Sequence, residues 1–111
     1  TLELRNIRVV MGRPDDPTLP EDSLNLALLA NTYHEVGMPL LLLENIRKEL
    51  KIGGRLVIID WDPEKESPIG PPRQERVPED TVIKEAGQAG LGLSERQRFM
   101  PYHYFLVFKK K

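Results

Sequence analysis

The fold is decided by the stretch ELKIGGRLVIIDW, which runs from Glu49 to Trp61. A charged helix end leads into Gly53-Gly54, and either glycine can adopt the left-handed backbone conformation that closes a helix. The apolar run Leu56 to Ile59 has no polar alternation, which predicts a strand covered on both faces. The acid after it lies at the strand end where open α/β sheets bind ligands. We therefore predict a helix followed by a central parallel strand, Arg55 to Asp60.

The composition indicates one domain with a modest core. The chain has 111 residues, and 16 basic against 17 acidic residues leave no overall charge to attract nucleic acid or an anionic membrane. It contains no cysteine, which excludes disulfides and thiolate metal sites. No His, Asp and Glu set has metal-ligand spacing, no apolar run approaches the roughly 18 residues of a membrane-spanning helix, and no signal-peptide pattern is found. We expect a cytoplasmic protein with no metal, nucleic-acid or membrane partner.

The predicted elements follow an α/β order. Five strands and two helices are separated by loops, and the longest loop, Trp61 to Pro78, contains five prolines. A short turn at Pro101 joins the last two strands, which predicts an antiparallel hairpin. The predicted strands are Ile7–Met11, Leu24–Ala30, Arg55–Asp60, Leu91–Phe99 and Tyr102–Phe108, and the predicted helices run from Pro39 to Gly53-Gly54 and from Pro78 to Ala89.

Three motifs resemble parts of the late core of class I S-adenosylmethionine-dependent methyltransferases of the type 11-like kind. They are LKIGGRL before the central strand, LPEDSLNL approaching the strand before it, and AGQAGL before the hairpin. Asn25 departs from the pattern, since the family usually has Asp there. The resemblance covers about Ile7 to Lys109 and corresponds to the C-terminal half of the family's domain. It implies a partial Rossmann-like methyltransferase sheet of about five strands, mostly parallel with an antiparallel C-terminal hairpin, flanked by two main helices.

The family's cofactor-gripping motif has no counterpart in this chain. No Gly-x-Gly-x-Gly loop is present, and Gly53-Gly54 lies before a strand instead of after one. The backbone must approach the cofactor closely at that loop, and side chains would block it. We therefore expect residues 1–111 to form a single, truncated methyltransferase-like domain. S-adenosylmethionine is its cofactor by resemblance, with weak or no binding and no turnover by the chain alone.

The resemblance also implies a set of site residues. The acid after the third family strand contacts the adenine amine, and the end of the fourth strand lies beside the cofactor's methionine portion. The residues after the fourth and fifth strands face the methyl acceptor, and a base there can take a proton from the nucleophile. These positions correspond to Asp15 and Asp16 (adenine), Ala30 and Asn31 (methionine portion), Tyr33, Asp60 and Trp61 (substrate), and His34 (catalytic base).

Structural interpretations of several of these residues remain open. His34 also suits a hydrogen-bonded loop position, and Asp15 and Asp16 suit turns beside prolines. Asp60 can satisfy backbone N–H groups at the strand end. The residues Tyr102, His103 and Tyr104 fit either alternating strand positions or a cage around a substrate.

The strand Leu24–Ala30 is predicted to have an open edge, because the family's first strand is absent. An apolar, uncharged edge is a template for pairing. Either two chains join there or Ile7–Met11 moves into the gap. We favour self-association as a homodimer, with the N-terminal segment exchanged between the chains or packed at their interface.

Two functional hypotheses follow, the first being a methyltransferase-like protein acting on a small molecule. The alternative is a non-catalytic module that is oligomeric or completed by a partner. A third interpretation, another nucleotide-binding α/β protein, fits the antiparallel terminal hairpin less well.

Overall fold

The described strands form one sheet in the order β1-β2-β3-β5-β4. A computed structural model describes residues 7–10, 24–31, 33 and 36–110. β1, β2 and β3 run parallel, whereas β5 runs antiparallel to both β3 and β4. The elements are β1 (Ile7–Val10), β2 (Leu24–Ala30), α1 (Pro39–Glu49), β3 (Leu50–Trp61), a 3₁₀ turn (Arg73–Glu75), α2 (Glu79–Gln88), β4 (Leu91–Gln97) and β5 (His103–Lys110).

The architecture confirms the predicted partial methyltransferase sheet. The sheet has five strands, of which β1 to β3 run parallel, and the predicted antiparallel C-terminal hairpin is present as β4 and β5. α2 begins one residue after Pro78, since a prolyl residue suits the start of a helix. Gly90 follows the helix with a φ of +90°, as expected of a glycine just beyond a helix end.

The glycine pair does not cap α1, so the prediction that this helix ends at Gly53-Gly54 is wrong. The helix ends at Glu49, and Leu50 is already extended and pairs with Leu24 of β2. The next pair joins Leu26 to Arg55, so β3 advances by five residues where β2 advances by two. The three additional residues bulge outward, and Ile52 among them is 91% exposed.

Each glycine has its own role in this bulge. Gly53 has a φ of +83°, a conformation that side chains with a Cβ adopt at a cost. A Cβ on Gly54 would lie 2.7 Å from the carbonyl oxygen of Lys51 and 3.1 Å from that of Leu24. The pair therefore turns the bulge and lets two backbones meet closely.

The edge of β2 is not open, which corrects the prediction of a free edge at Leu24–Ala30. β1 lies along it in parallel, with Ile7 opposite Leu26 and Val10 opposite Leu29. β1 thus pairs with the hydrogen-bonding groups along this edge. Self-association as a homodimer stays a prediction. Of the two outcomes considered, the structure has the one in which the N-terminal strand fills the gap.

One face of the sheet carries the core. α1 contacts β3 and α2, and α2 contacts β4. Side chains from both helices pack with alternate residues of the strands, and most of these side chains are shielded completely from solvent. The cluster comprises Leu24, Ala27, Leu29, Tyr33, Leu42, Leu43, Ile46, Leu50, Leu56, Ile58, Val82, Ala86, Ala89, Leu91, Tyr104, Leu106 and Phe108.

The opposite face, called the open face below, is apolar but lies outside this cluster. Its residues alternate along each strand with those of the core, and all but Val107 are only half-buried. Two adjacent cross-strand rows form it: Leu28, Val57 and Val107, then Ala30, Ile59 and Phe105. Among the described residues, both helices pack on the other side. Parallel strands usually have both faces covered, so the described residues leave this face with less cover than is usual.

Candidate functional site

The carboxyl ends of β2 and β3 meet at one edge of the sheet. The N–H of Asn31 donates to the carbonyl oxygen of Ile59 at 2.8 Å, which extends the pairing of the two strands by one residue. Asn31 then takes a φ of +57°, and its side chain is exposed. Asparagine tolerates this left-handed conformation better than most residues. Ala30 and Asn31 therefore lie at the carboxyl end of a parallel strand, and their contact with the methionine portion of the cofactor stays a prediction.

Asp60 is fully buried where β3 ends. Its Oδ1 accepts a hydrogen bond from the N–H of Trp61 at 2.8 Å, so the side chain does satisfy a backbone donor at the strand end. It lies opposite Tyr104 of β5, on the face that packs against the helices. Its predicted contact with substrate stays a prediction.

Trp61 points to the other face and anchors the long loop that follows β3. Its ring lies 4.1 Å, centroid to centroid, from that of His103, its cross-strand partner, at an interplanar angle of 36°. The guanidinium carbon of Arg76 is 5.3 Å from the Trp61 ring centroid, within cation–π range. A Cβ on Gly70 would lie 2.8 Å from the same ring. The loop thus packs on Trp61 through both Gly70 and Arg76.

Arg76 holds this loop together through backbone carbonyl groups. Nε donates to Pro71 at 2.9 Å, Nη1 donates to Asp62 at 3.2 Å and Lys65 at 3.0 Å, and Nη2 donates to Ile69 at 3.4 Å. The side chain is only 7% exposed, which is rare for arginine. The role of Arg76 was not predicted from the sequence, because one arginine in a charged, proline-rich loop carries no local signal.

The loop encloses a cleft of about 410 Å³. A space of this size suits a small-molecule ligand. Two of the lining residues, Gly70 and Arg76, also pack against Trp61. Trp61, a predicted substrate residue, therefore supports the wall of the cleft. The lining residues are Lys65, Glu66, Ser67, Gly70, Pro71, Pro72, Arg73 and Arg76.

Tyr33 lies inside the core, 2% exposed. Its hydroxyl donates to Oε1 of Glu85 on α2 at 2.6 Å. Burial, and then the hydrogen bond and charge of Glu85, raise the pKa of Tyr33 above its ordinary range. The side chain therefore stays neutral and ties the segment after β2 to α2, while its predicted substrate contact stays a prediction.

His103 occupies the start of β5 on the open face. Burial lowers the pKa of its imidazole, and the charge of Arg76 lowers it further, whereas the charge of Asp60 opposes both effects. Nε2 is buried and has no hydrogen-bond partner among the described residues. The ring is thus held in its neutral form beside Trp61. His34, Asp15 and Asp16 lie outside the described residues, and their roles remain predictions.

The described residues do not form a complete S-adenosylmethionine site. The exposed turn at Asn31 supplies one wall, but close approach to the cofactor needs a glycine-rich loop at the same sheet edge. Gly53 and Gly54 lie at the opposite end of β3, and β1 occupies the edge of β2. The described residues therefore do not hold the cofactor by themselves.

No protein-family model matches the sequence, and no curated protein matches it. Solved structures do match it. A type 11 methyltransferase from Sulfolobus solfataricus is 30% identical with a TM-score of 0.74, and the match covers 89% of this chain and 56% of that protein. A SAM-dependent methyltransferase from Aquifex aeolicus is 28% identical with a TM-score of 0.79, over 95% of this chain and 55% of that protein.

A third match has two bound ligands. It is the 1,6-didemethyltoxoflavin-N1-methyltransferase of Burkholderia thailandensis with 1,6-didemethyltoxoflavin and S-adenosylhomocysteine. It is 18% identical with a TM-score of 0.64, over 84% of this chain and 46% of that protein. The chain thus spans about half the length of these enzymes. Over the part that it shares with them, it has the fold of the class I S-adenosylmethionine-dependent methyltransferases.

Proposed function

We propose that this chain forms the methyl-acceptor side of an S-adenosylmethionine-dependent methyltransferase that acts on a small molecule in the cytoplasm. The observation that carries the proposal is the fold shared with the Sulfolobus and Aquifex enzymes over nine-tenths of the chain. The cleft beside Trp61, at the carboxyl edge of β3, supports an acceptor of modest size. The Burkholderia enzyme, which has 1,6-didemethyltoxoflavin bound, has the same fold.

The proposed roles of the site residues follow the resemblance. The turn after β2 lies beside the methionine portion of the cofactor, and the residues after β2 and β3 align the acceptor, since alignment is the main requirement of methyl transfer. A neutral histidine near the acceptor can remove a proton from the nucleophile. The assignments are Asp15 and Asp16 to adenine, Ala30 and Asn31 to the methionine portion, Tyr33, Asp60 and Trp61 to the acceptor, and His34 to the base.

The open face supports a second part of this proposal, that a cofactor-gripping half packs there. The face presents two apolar rows across three strands, and parallel strands are normally covered on both faces. The matched enzymes have nearly half of their length beyond the part that this chain covers. We therefore assign the open face to a glycine-loop half of the same fold, and we expect the chain without that half to be inactive.

Calorimetric titration with S-adenosylmethionine tests this proposal. We expect no sub-millimolar binding to the 111-residue chain, but binding to a fusion of this chain with the part of the Aquifex aeolicus enzyme that it does not match. Val57→Lys, which places a charge on the open face, should abolish binding by the fusion. Glu44→Lys on the exposed side of α1 is the matched control and should leave binding unchanged.

Two results would contradict the proposal. Sub-millimolar binding to the chain alone would mean that the glycine loop is dispensable. A folded fusion without cofactor affinity would mean that the chain does not complete a methyltransferase.

The non-catalytic alternative is favoured by the same open face, because a partner can cover it without any chemistry following. It predicts that the fusion folds and binds cofactor normally but methylates no acceptor in a broad small-molecule screen. Transfer of a labelled methyl group from S-adenosylmethionine to any acceptor would exclude it.

A further inference from the structure

The cleft in the loop after β3 is electrostatically unbalanced. Three cationic side chains line it, Lys65, Arg73 and Arg76, against a single carboxylate, Glu66. The whole chain is close to neutral, so this concentration of positive charge is local. A concave surface of one charge sign focuses the electrostatic potential and raises the local concentration of ligands of the opposite sign.

The exposed members of this set are weakly engaged. Arg73 approaches Glu66 only to 4.0 Å, and the two side chains are 57% and 95% exposed. Ion pairs of this kind contribute little to stability. Lys65 reaches the carbonyl oxygen of Met100 only at 3.5 Å, the long limit of a hydrogen bond. Both cations are therefore available to a ligand at small cost.

Arg76 is the buried member, and its charge has no carboxylate partner among the described residues. Its four hydrogen bonds go to uncharged carbonyl groups, and these occupy four of the five N–H donors of a guanidinium group. A buried cation without a counter-charge is unfavourable, and a planar guanidinium group is suited to carboxylate and phosphate oxygens. The carbonyl groups fix the position of this charge before a ligand arrives.

We propose that this cleft binds an anionic group, a carboxylate or a phosphate, of the methyl acceptor. The identification of the ligand as the acceptor rests on the proposed function; anion binding by the cleft does not. The buried guanidinium group of Arg76 supplies a preorganised charge, and Lys65 and Arg73 close around the anion at the surface. The acceptor is then an acidic small molecule, held next to Trp61 at the edge where the cofactor's methyl group is delivered.

NMR titration of the full 111-residue chain tests the inference without any cofactor. The probes are benzoate, phenyl phosphate and neutral benzamide, which share a ring and differ in the polar group. We expect amide shifts within residues 65–76 with at least one anion and none with benzamide. A response to benzoate alone assigns a carboxylate, and a response to phenyl phosphate alone assigns a phosphate. A response to both means that the cleft accepts either anion.

Charge-removing variants sharpen this test. Lys65→Ala combined with Arg73→Ala should raise the dissociation constant roughly tenfold or more, since two charged contacts are lost. Arg96→Ala, which removes an exposed guanidinium group from β4 outside the cleft, is the matched control and should change it less than about twofold.

Three outcomes would overturn the inference: equal shifts with benzamide, equal effects of the two variants, or no response at about 10 mM, where a millimolar site would be filled. Anion binding without cofactor binding by the fusion protein would sink the proposed function and leave the cleft assignment standing. Cofactor binding by the fusion protein without anion binding by the cleft would support the proposed function and contradict the cleft assignment.

Discussion

Ile58 and Ile59 are adjacent in β3 and chemically identical, yet they lie on opposite faces of the sheet. Ile58 is completely shielded by the helices, whereas Ile59 is half-buried in the apolar row of the open face. The unbroken apolar run around them predicts cover on both sides, and the described helices supply it on one. Apolar surface on the covered face stabilises this chain by itself. Apolar surface on the open face is available to stabilise an assembly.

The largest expected effect comes from shortening these two neighbours in turn. Ile58→Ala should lower the free energy of unfolding by about 2–5 kcal/mol, because it leaves a cavity in the core. Ile59→Ala should lower it by only about 1 kcal/mol, because its side chain is already partly exposed to water. Urea unfolding of the two variants and the parent chain measures both values.

Equal losses of stability in the two variants would mean that the open face is packed like the core. The fusion with a cofactor-gripping half sharpens the comparison. Once the open face is covered, the cost of Ile59→Ala should rise towards that of Ile58→Ala.

A smaller effect is expected on the covered side from Tyr33→Phe. The hydroxyl of Tyr33 donates to a half-buried carboxylate on α2, and its loss leaves that acceptor without this donor. The free energy of unfolding should fall by about 1.5–3 kcal/mol, the range for a hydrogen bond to a charged group. Tyr102→Phe is the matched control, because no bond to that hydroxyl is seen among the described residues. Indistinguishable losses in the two variants would mean that the hydrogen bond from Tyr33 to Glu85 does not stabilise the fold.

The smallest effect is a pH dependence on the open side. The pKa of His103 is lowered from 6.5, chiefly by burial, so the folded chain takes up its proton less readily than the unfolded chain. The free energy of unfolding should therefore fall as the pH drops below 6.5 and level off below the folded-state pKa. His103→Gln should have a shallower pH profile over this interval, measured by urea unfolding at matched ionic strength.

An unchanged or steeper profile in His103→Gln would contradict the assigned burial of the ring. Covering the open face in the fusion should bury His103 further and make the parent profile steeper, while leaving that of His103→Gln as it was.

Much of the fold could be predicted because local patterns dictate it. Pro39 and the spacing of Leu43 and Ile46 specify α1, and the β-branched run ending at Ile59 specifies a strand. The bounds of β2 agree with the apolar run that predicted it. Each signal lies within a few residues of the element that it specifies, so no long-range contact was needed to interpret it.

The glycine pair shows where such patterns become ambiguous. A helix cap and a β-bulge can each contain a residue with a positive φ, and Gly53 suits either. The pairing of Leu50 with Leu24, residues far apart in sequence, decides for the bulge.

The candidate site was predicted only in part. Ala30, Asn31, Asp60 and Trp61 lie at the expected sheet edge, because parallel strands bring their carboxyl ends together. Arg76 was not found, since its bonding partners are backbone carbonyl groups, which every residue type carries. The burial of Tyr33 could not be predicted from local sequence either, because the acceptor of its hydrogen bond, Glu85, is 52 residues away.

The sequence by itself determined the order of strands and helices and the apolar character of both sheet faces, because propensity and periodicity are local properties. It also showed directly that the 111 residues contain no Gly-x-Gly-x-Gly motif. Only the tertiary structure decided which face the helices cover, which strand lies beside β2 and which arginine gathers the loop after β3. Those choices depend on contacts between residues distant in the chain. Burial and hydrogen bonding select among arrangements that the local patterns allow equally.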